Sequence, residues 1–498
     1  MDILSATGGS IAGYHSLGEQ IWRQTKGEGD GCIGMSHSLR WYRYAPAAVL
    51  AVAALTGTAT VAAQQPAAIP DAVLANVRAR VDAGWTPSIV IGVVDASGAR
   101  YFAYGKTAVD GGAPVNERTV YEIGSVTKVF TGVVLADMAV KGEVALDDPV
   151  QRYLPDSVRV PGTDSQPITL RLLAAQRSGL PRLPANFAPR DSSNPYADYD
   201  AARLYAFLNT HTLTRAPGAA YEYSNVGVGL LGLALARRAG TTYEALVRRH
   251  VLAPLGMTST MITLSDLARA RLAQGSADGR PAANWDLDAL AGAGALRSTA
   301  EDMTTFLAAA MGLRRTPLDA AFRLAAEPQF DAGPGGVMRI GLGWHVRQGG
   351  AGTRIVWHNG GTGGYHSWAG YDPARRVGIV VLTNSRENID DIGLHFLDPT
   401  RPLDSVRTTL ALPAAALDEY VGRYPLTPAF VIAVAREGDH LTLQATGQPA
   451  FRLWASAPDE FFLRVVDAQL SFTRGADGKV DGLILHQNGR DQRAKRAL

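Results

Sequence analysis

Cysteine is all but missing from this chain. Cys32 is the only one, and it lies ahead of the apolar run APAAVLAVAALTGTATV, which spans Ala45 to Val61. Met35-Ser-His-Ser-Leu-Arg-Trp-Tyr-Arg supplies a basic stretch before that run, and Val61-Ala62-Ala63 supplies the small-x-small pattern of a signal-peptidase site after it. Cleavage behind Ala63 is expected to leave a mature chain without a thiol. That excludes disulfides, thiolate metal sites, a cysteine nucleophile and a lipid-modified N-terminal cysteine together. Because the export pattern starts at Met35, the first 34 residues are expected to lie upstream of the true start and to add nothing to the fold. If uncleaved, the run would act as an anchor, although it is short of the roughly 20 residues a membrane span prefers.

Other absences narrow the function. No stretch interleaves basic residues with aromatics and the net charge is only +2, so no nucleic acid partner is expected. There is no Gly-x-Ser-x-Gly elbow, which argues against an α/β-hydrolase. His345, His358 and His366 form no helical His-x-x-x-His pair and have no carboxylate cluster with them, so no metal and no cofactor is expected. What remains is a soluble globular balance, 46% hydrophobic against 19% charged, with room in 498 residues for about three domains.

Periodicity divides the chain. SIVIGVVDASGARYFAYGKTAV, from Ser88 to Val109, reads as a hairpin about a turn at Ser97 and Gly98. From Val129 to about Ala310 the pattern is helical, with apolar residues at three- and four-residue intervals in VFTGVVLADMAVKG, DDPVQRYL, TLRLLAAQRSG, VGLLGLALARRAG and TAEDMTTFLAAAM. Strand-like runs return in GLGWHVRQ, TRIVWHNGG, YHSWAGYDP and VGIVVLTNS. Strands at both ends enclosing helices predict an α+β unit, an antiparallel sheet flanked by helices with an inserted helical subdomain. Beyond the shift at Leu397 to Tyr420, short alternating runs broken by Glu-Gly-Asp and Asp-Gly turns predict a small all-β barrel. The expected division is 1–66 for the upstream extension, signal peptide and linker, 67–398 for the α+β domain, 399–414 for a linker and 415–498 for the barrel.

Lysine is scarce too, with six in the chain, but a Ser-x-x-Lys match such as Ser125 and Lys128 is weak evidence alone and its context decides. Ser125 follows Gly124 and precedes a helical run, where free N–H groups and the helix dipole favour a developing anion. Lys128, three residues on, lies on the same face within reach of the hydroxyl. A serine hydroxyl is a poor nucleophile until a neighbour takes its proton, and an amine can do so when burial and a nearby cation lower its pKa. The bland alternative is a capping serine beside a solvated lysine. Tyr223-Ser224-Asn225 stands before another helix, with Tyr223 and Asn225 projecting together. His358-Asn359-Gly360-Gly361 closes a strand run with glycines that permit close backbone approach.

With these segments the chain resembles the serine hydrolases typified by class C β-lactamases, low-molecular-weight penicillin-binding proteins, D-aminopeptidases and related esterases. The resemblance runs from about Pro70 to Asp390. Ser125-Val-Thr-Lys128 matches the Ser-x-x-Lys motif of that family, Tyr223-Ser-Asn225 its Tyr-x-Asn motif, and His358-Asn359-Gly360 the position of its Lys-Thr-Gly motif. LDDPVQRYLP, ITLRLLAAQRSGLP, VLAPLGMTST and AGYDPARRVGIVVLTNS agree as well. The C-terminal region, from LDEYVGRYPL to LILHQNG, resembles the lipocalin-like domain that follows this catalytic domain in some members.

The resemblance implies a β-lactamase-like fold and two-step acyl transfer from Ser125. Lys128 and Tyr223 would share the proton work, with the choice of base left open between them. Asn225 would orient Lys128 and the substrate amide, and the N–H groups of Ser125 and Gly361 would form the oxyanion hole. His358 and Asn359 replace the lysine and threonine that sit near a penicillin carboxylate, which shifts the expected substrate toward D-amino-acid peptides of the peptidoglycan type. The implied enzyme is a D-Ala carboxypeptidase/endopeptidase or a D-aminopeptidase-like one. An esterase or a weak class C-like β-lactamase is the alternative, and a catalytically vestigial ligand-binding protein is the alternative of another class. The expected partner is a small-molecule or peptide substrate, in the periplasm or outside the cell, with no stable membrane span after signal cleavage. Export should yield a mature N-terminus just after Ala63. N-terminal sequencing of periplasmic protein checks this, and a mature chain still carrying Ala45 to Val61 would mean an anchor instead.

Overall fold

The apolar runs that flank Ser97 and Gly98 pair as an antiparallel hairpin, β1 (Ser88–Asp95) and β2 (Gly98–Ala108), closed by Asp95 opposite Gly98. The structure is a computed structural model that describes residues 67–497 except 164, 350, 351, 449, 465, 467 and 488. Cys32, the apolar run and the cleavage site at Ala63 lie outside the described residues.

β1 is buried on both faces, because each face meets a different layer. Ile89, Ile91 and Val93 pack with Val73 and Val77 of helix α1 (Asp71–Asp82), whereas Val90 and Val94 join the larger core on the opposite side. At about 1.5–3 kcal/mol for each fully buried aliphatic side chain, this double burial makes β1 a central strand rather than an edge. After β3 (Gly111–Pro114) the chain leaves the sheet for more than two hundred residues, most of them helix and loop. That stretch contains helix α2 (Thr127–Val140), helix α3 (Asn225–Arg238) and helix α4 (Ala300–Ala310). The chain returns to the sheet with β4 (Phe330–Asp331), β5 (Met338–Ile340), β6 (His345–Gln348), β7 (Arg354–Gly361), β8 (His366–Asp372) and β9 (Val377–Thr383), followed by helix α5 (Asp390–Leu397).

The sheet order is β3-β2-β1-β9-β8-β7-β6-β5-β4, so the N-terminal hairpin is stitched to the last strand, with Ile89 opposite Thr383. This is the α+β arrangement that the enclosing strands predict. Helices α1 and α5 cover one face, and α2 and α4 lie in the helical layer on the other. Two predicted helices are shorter than their periodicity suggests. DDPVQRYL yields only a 3-10 turn, Val150–Tyr153, because Pro149 and Pro155 bracket it. TLRLLAAQRSG is helical only over Leu170–Ala174, since Gln176 takes a left-handed conformation at φ 57°.

The C-terminal region forms eight antiparallel strands paired in sequence order, from Gly422–Thr427 to Arg490–Lys495. The barrel nearly closes where Ala497 N–H donates to Arg423 O at 2.7 Å. Its interior is occupied by Tyr424, Ile432, Leu443, Phe461, Leu470, Phe472 and Leu483. The barrel rests on the larger unit through Trp85, which stacks on Phe462 at 6.0 Å, and through Arg464, which lies 5.3 Å from the Trp85 ring and donates to Gly84 O at 3.1 Å.

Helix α2 is the element that the rest of the core surrounds, and it is buried over almost its whole length. Gly132 lets it touch the β5–β6 connection, because a Cβ at this position would stand 1.9 Å from Leu342 O. Gly132→Ala should therefore lower stability by about 1–3 kcal/mol or more, read as a shifted denaturant midpoint with unchanged slope.

Candidate active site

Gly124, at φ +47°, opens a 3-10 turn over Gly124–Val126 that runs directly into α2. Ser125 thus stands at the helix entry and Lys128 one turn inside it. Lys128 Nζ lies 2.9 Å from Ser125 Oγ and donates to Ala293 O at 2.7 Å. The side chain has 0% exposure. Burial, with the Arg182 guanidinium nearby, holds its amine well below the usual lysine range.

Tyr223 completes this cluster. Its ring centre is 4.7 Å from Lys128 Nζ and 5.0 Å from the Arg182 guanidinium carbon, and the Ser125 side chain is near enough to its hydroxyl to favour the phenolate. Burial pushes the phenol up to about 12, with Arg182 and the Ser125 side chain pulling the other way. Of the two groups beside the hydroxyl, the amine is therefore favoured as neutral acceptor and the phenol as protonated donor.

The Tyr-Ser-Asn segment is fixed from two directions. Ser224 caps α3 by accepting from Gly227 N–H at 2.8 Å, and its own hydroxyl donates to Pro181 O at 2.7 Å. Asn225 N–H donates to Arg182 O at 3.1 Å, while Ser224 N–H donates to Gln176 Oε1 at 2.7 Å. The strained Gln176 backbone thereby serves a side chain that positions the site. Asn225 hydrogen-bonds Tyr196, and its Oδ1 is buried without a hydrogen-bond partner among the described residues. It makes no hydrogen bond to Lys128 there; the Ala293 carbonyl orients the amine instead.

The end of β7 meets the serine turn backbone to backbone. A Cβ on Gly360 would stand 2.1 Å from Ile123 O and 2.8 Å from Ser125 N, and a Cβ on Gly124 would stand 2.8 Å from Gly361 N. Only glycine at both positions allows the Ser125 and Gly361 amides to come together, as a two-donor oxyanion site requires. Ser367 Oγ, donating to Ile123 O at 2.8 Å, ties β8 to the same turn.

Strand alternation separates His358 from Asn359. His358 faces the cluster, 6.2 Å from the Tyr223 ring and stacked at 4.8 Å on His345, but it is only 1% exposed and its Nδ1–H donates to Asn359 O. His345 is held down to about 4 by burial and by Lys128. Asn359 turns to the other face, where its Nδ2 donates to Asp390 Oδ2 at 2.6 Å while His366 Nε2 donates to Asp390 Oδ1 at 2.9 Å. Among the described residues no group of three or more His, Cys, Asp or Glu side chains could hold a metal ion.

Several neighbours escape the sequence reading. Ala293 contributes only a carbonyl, carried by the small-residue segment Ala291–Gly294 that crosses α3 at Gly229 and Gly232, where a Cβ on Gly292 would stand 2.9 Å from Val228 O. The run AGAGA marks a close approach but not its target. Glu122, buried and raised in pKa by burial, accepts from Asn284 Nδ2, Trp285 N–H and Arg297 Nη2 at 2.9, 3.0 and 3.2 Å. It anchors Trp285, which packs on Tyr196 at 5.2 Å. Arg182 carries no motif signal at all.

The family model Beta-lactamase matches residues 73–395, and a second, Domain of unknown function (DUF3471), matches 407–496. Penicillin-binding protein 4* of Bacillus subtilis is 26% identical over 414 residues, covering 77% of this chain and 89% of that protein. The D-alanyl-D-alanine-carboxypeptidase/endopeptidase AmpH of Escherichia coli is 31% identical over 308 residues, covering 59% and 78%. A solved β-lactamase/D-alanine carboxypeptidase from Yersinia pestis, complexed with citrate, superposes with TM-score 0.55 at 25% identity, covering 63% of this chain and 93% of that one. Among the described residues no helix is long and apolar enough to cross a membrane.

The lowered Lys128 pKa has a definite sign. The unfolded chain holds a proton on Lys128 up to about pH 10.4 and the folded chain releases it at lower pH, so this group's contribution to stability rises with pH between those two values. Denaturant midpoints of the wild type should therefore climb relative to Lys128→Met between neutral pH and about pH 10. Parallel midpoints for the two proteins would show that the amine is charged in the folded state.

Proposed function

From the premise that this chain belongs to the Beta-lactamase family and is a serine hydrolase, we propose that it hydrolyses D-amino-acid peptides of the peptidoglycan type. It acts by a Ser125 acyl-enzyme, as a D-Ala carboxypeptidase/endopeptidase or a D-aminopeptidase-like enzyme. The observation that carries this reading is the buried Lys128 amine at 2.9 Å from Ser125 Oγ, with the Tyr223 ring 4.7 Å from the same amine.

In acylation, Ser125 Oγ bonds to the carbonyl carbon while its proton passes to the neutral Lys128 amine. The carbonyl oxygen becomes an oxyanion between the Ser125 and Gly361 amides, a stabilisation of about 3 kcal/mol per donor. The C–N bond then breaks as Tyr223 protonates the leaving nitrogen, and the proton on Lys128 restores the phenol. Water repeats the sequence in reverse roles and frees Ser125. Asn225 Oδ1 is available to accept the substrate amide N–H. The D-Ala substrate class is supported by what the relatives are called, and by His358 and Asn359 standing where a penicillin-binding lysine and threonine would be. A vestigial, ligand-binding role for the chain fits poorly with an assembled Ser125, Lys128 and Tyr223 cluster and with a barrel filled by its own side chains.

The same reading includes the division of the chain into a catalytic unit over 67–398 and a barrel over 415–498. It also includes export to the periplasm or beyond. Intact-mass analysis after exposure to penicillins, D-Ala peptides and p-nitrophenyl esters tests it. A covalent adduct should form with at least one class and be absent in Ser125→Ala, whose fold should be unchanged because the hydroxyl makes little core contact. Turnover in Ser125→Ala equal to the wild type would remove Ser125 from the chemistry.

A further inference from the structure

The Arg182 side chain stands beside the cluster, and its effect on the Lys128 amine is the only part the acyl-transfer steps give it among the described residues. Its guanidinium carbon lies 5.0 Å from the centre of the Tyr223 ring, in the loop that holds the Tyr-Ser-Asn turn. Among the described residues no carboxylate pairs with it, and its Nε is buried without an acceptor. Arg80 and Arg297, two buried arginines, behave differently. Arg80 pairs with Asp391 at 2.5 Å, and Arg297 with Glu122 and Asp286 at 3.2 and 3.1 Å. A buried guanidinium donor without an acceptor is costly, and a bound anion would supply the missing acceptor.

The position selects which anion. Tyr223, beside Lys128 and near Ser125, is the group that the acyl-transfer steps use to protonate the leaving nitrogen, so what lies beyond its ring is the leaving-group side of the bond. In an amino acid the carboxyl carbon is about 2.5 Å from the amine nitrogen, so a leaving residue whose nitrogen meets Tyr223 Oη carries its carboxylate toward the group above the ring. His358 is poorly placed for the same task, being 1% exposed with Nδ1–H engaged by Asn359 O. The main chain of the anchor is preset, since Arg182 O accepts from Asn225 N–H and Pro181 O from Ser224 Oγ. A planar guanidinium suits a carboxylate better than an ammonium or imidazole would.

We propose that Arg182 receives the free α-carboxylate of the amino acid that leaves, making this site a carboxypeptidase that favours the last peptide bond of its substrate. The inference rests on the acyl-enzyme reading above. It assigns to a guanidinium the carboxylate recognition that the odd His-Asn-Gly triplet leaves open.

The test uses the full chain and one acylated D-Ala-D-Ala peptide in two forms, with a free C-terminal carboxylate and as its C-terminal amide. The ratio of kcat/KM for acid over amide is the readout, because any effect of Arg182 on Lys128 acts on both substrates and cancels. The wild type should favour the acid by about tenfold or more, and Arg182→Gln should reduce that ratio by about ten- to hundredfold, with Arg182→Lys between the two. An unchanged ratio in Arg182→Gln, with turnover retained, would overturn the assignment while leaving the acyl-enzyme intact. Independently of any variant, D-alanine should inhibit wild-type ester hydrolysis at about tenfold lower concentration than D-alaninamide, and equal inhibition would also overturn it. Failure of the underlying reading has a different signature, namely ester hydrolysis that persists in Ser125→Ala.

Discussion

A lysine amine taken fully out of water, held by one carbonyl and one hydroxyl, is the constraint on which this structure turns. Lys128 has 0% exposure, and its described hydrogen bonds go to Ala293 O and Ser125 Oγ. A charged ammonium in such a place would be costly, so the fold favours the neutral base. The Ala293 carbonyl aims the nitrogen, and the Arg182 guanidinium adds a second reason for the amine to stay neutral. The cost of burying this amine thus falls in the first turn of a helix that is buried over almost its whole length.

Keeping that amine dry requires close contacts that larger residues would prevent. Gly292 lets the small-residue segment press on α3, bringing the Ala293 carbonyl down to Lys128. Gly360 and Gly124 let β7 and the serine turn meet at backbone distance, which brings the two amide donors together. The buried central strands of the sheet behind them make this junction stiff. β1 and β9 are covered on both faces, and β8 reaches across to bond Ile123 through Ser367. An oxyanion site needs such stiffness, because donors that must reorganise during reaction lose much of their effect.

The barrel attaches through a different kind of contact. Aromatic and guanidinium planes, with Trp85, Phe462, Arg464 and Trp454 in sequence, join it to the larger unit. Arg452 donates to Asp278 O at 2.9 Å, next to the hairpin of Ser276–Ala277 and Arg280–Pro281. Ser276 N–H in turn donates to Gly364 O at 3.0 Å, in the turn that follows the Gly361 amide. The barrel is thus connected by a short hydrogen-bonded path to the strand end beside the serine, although it contributes no side chain to the cluster.

Local rules made much of this legible in advance. One helical turn between Ser125 and Lys128, the joint projection of Tyr223 and Asn225 ahead of a helix, and apolar runs of period two are relations within a few residues of chain, set by backbone geometry. They placed the hydroxyl, the amine and the phenol on the right elements and gave the α+β architecture. The motif reading set His358 and Asn359 together near the substrate, whereas strand alternation turns Asn359 to the other face, where Asp390 takes its amide. The proton preferences of Lys128 and Tyr223, the Ala293 carbonyl that aims the amine, and the unpaired guanidinium of Arg182 were decided only in three dimensions. A carbonyl oxygen has no side-chain identity to read, and burial of a charge depends on residues more than a hundred positions away, so neither leaves a mark on the local sequence.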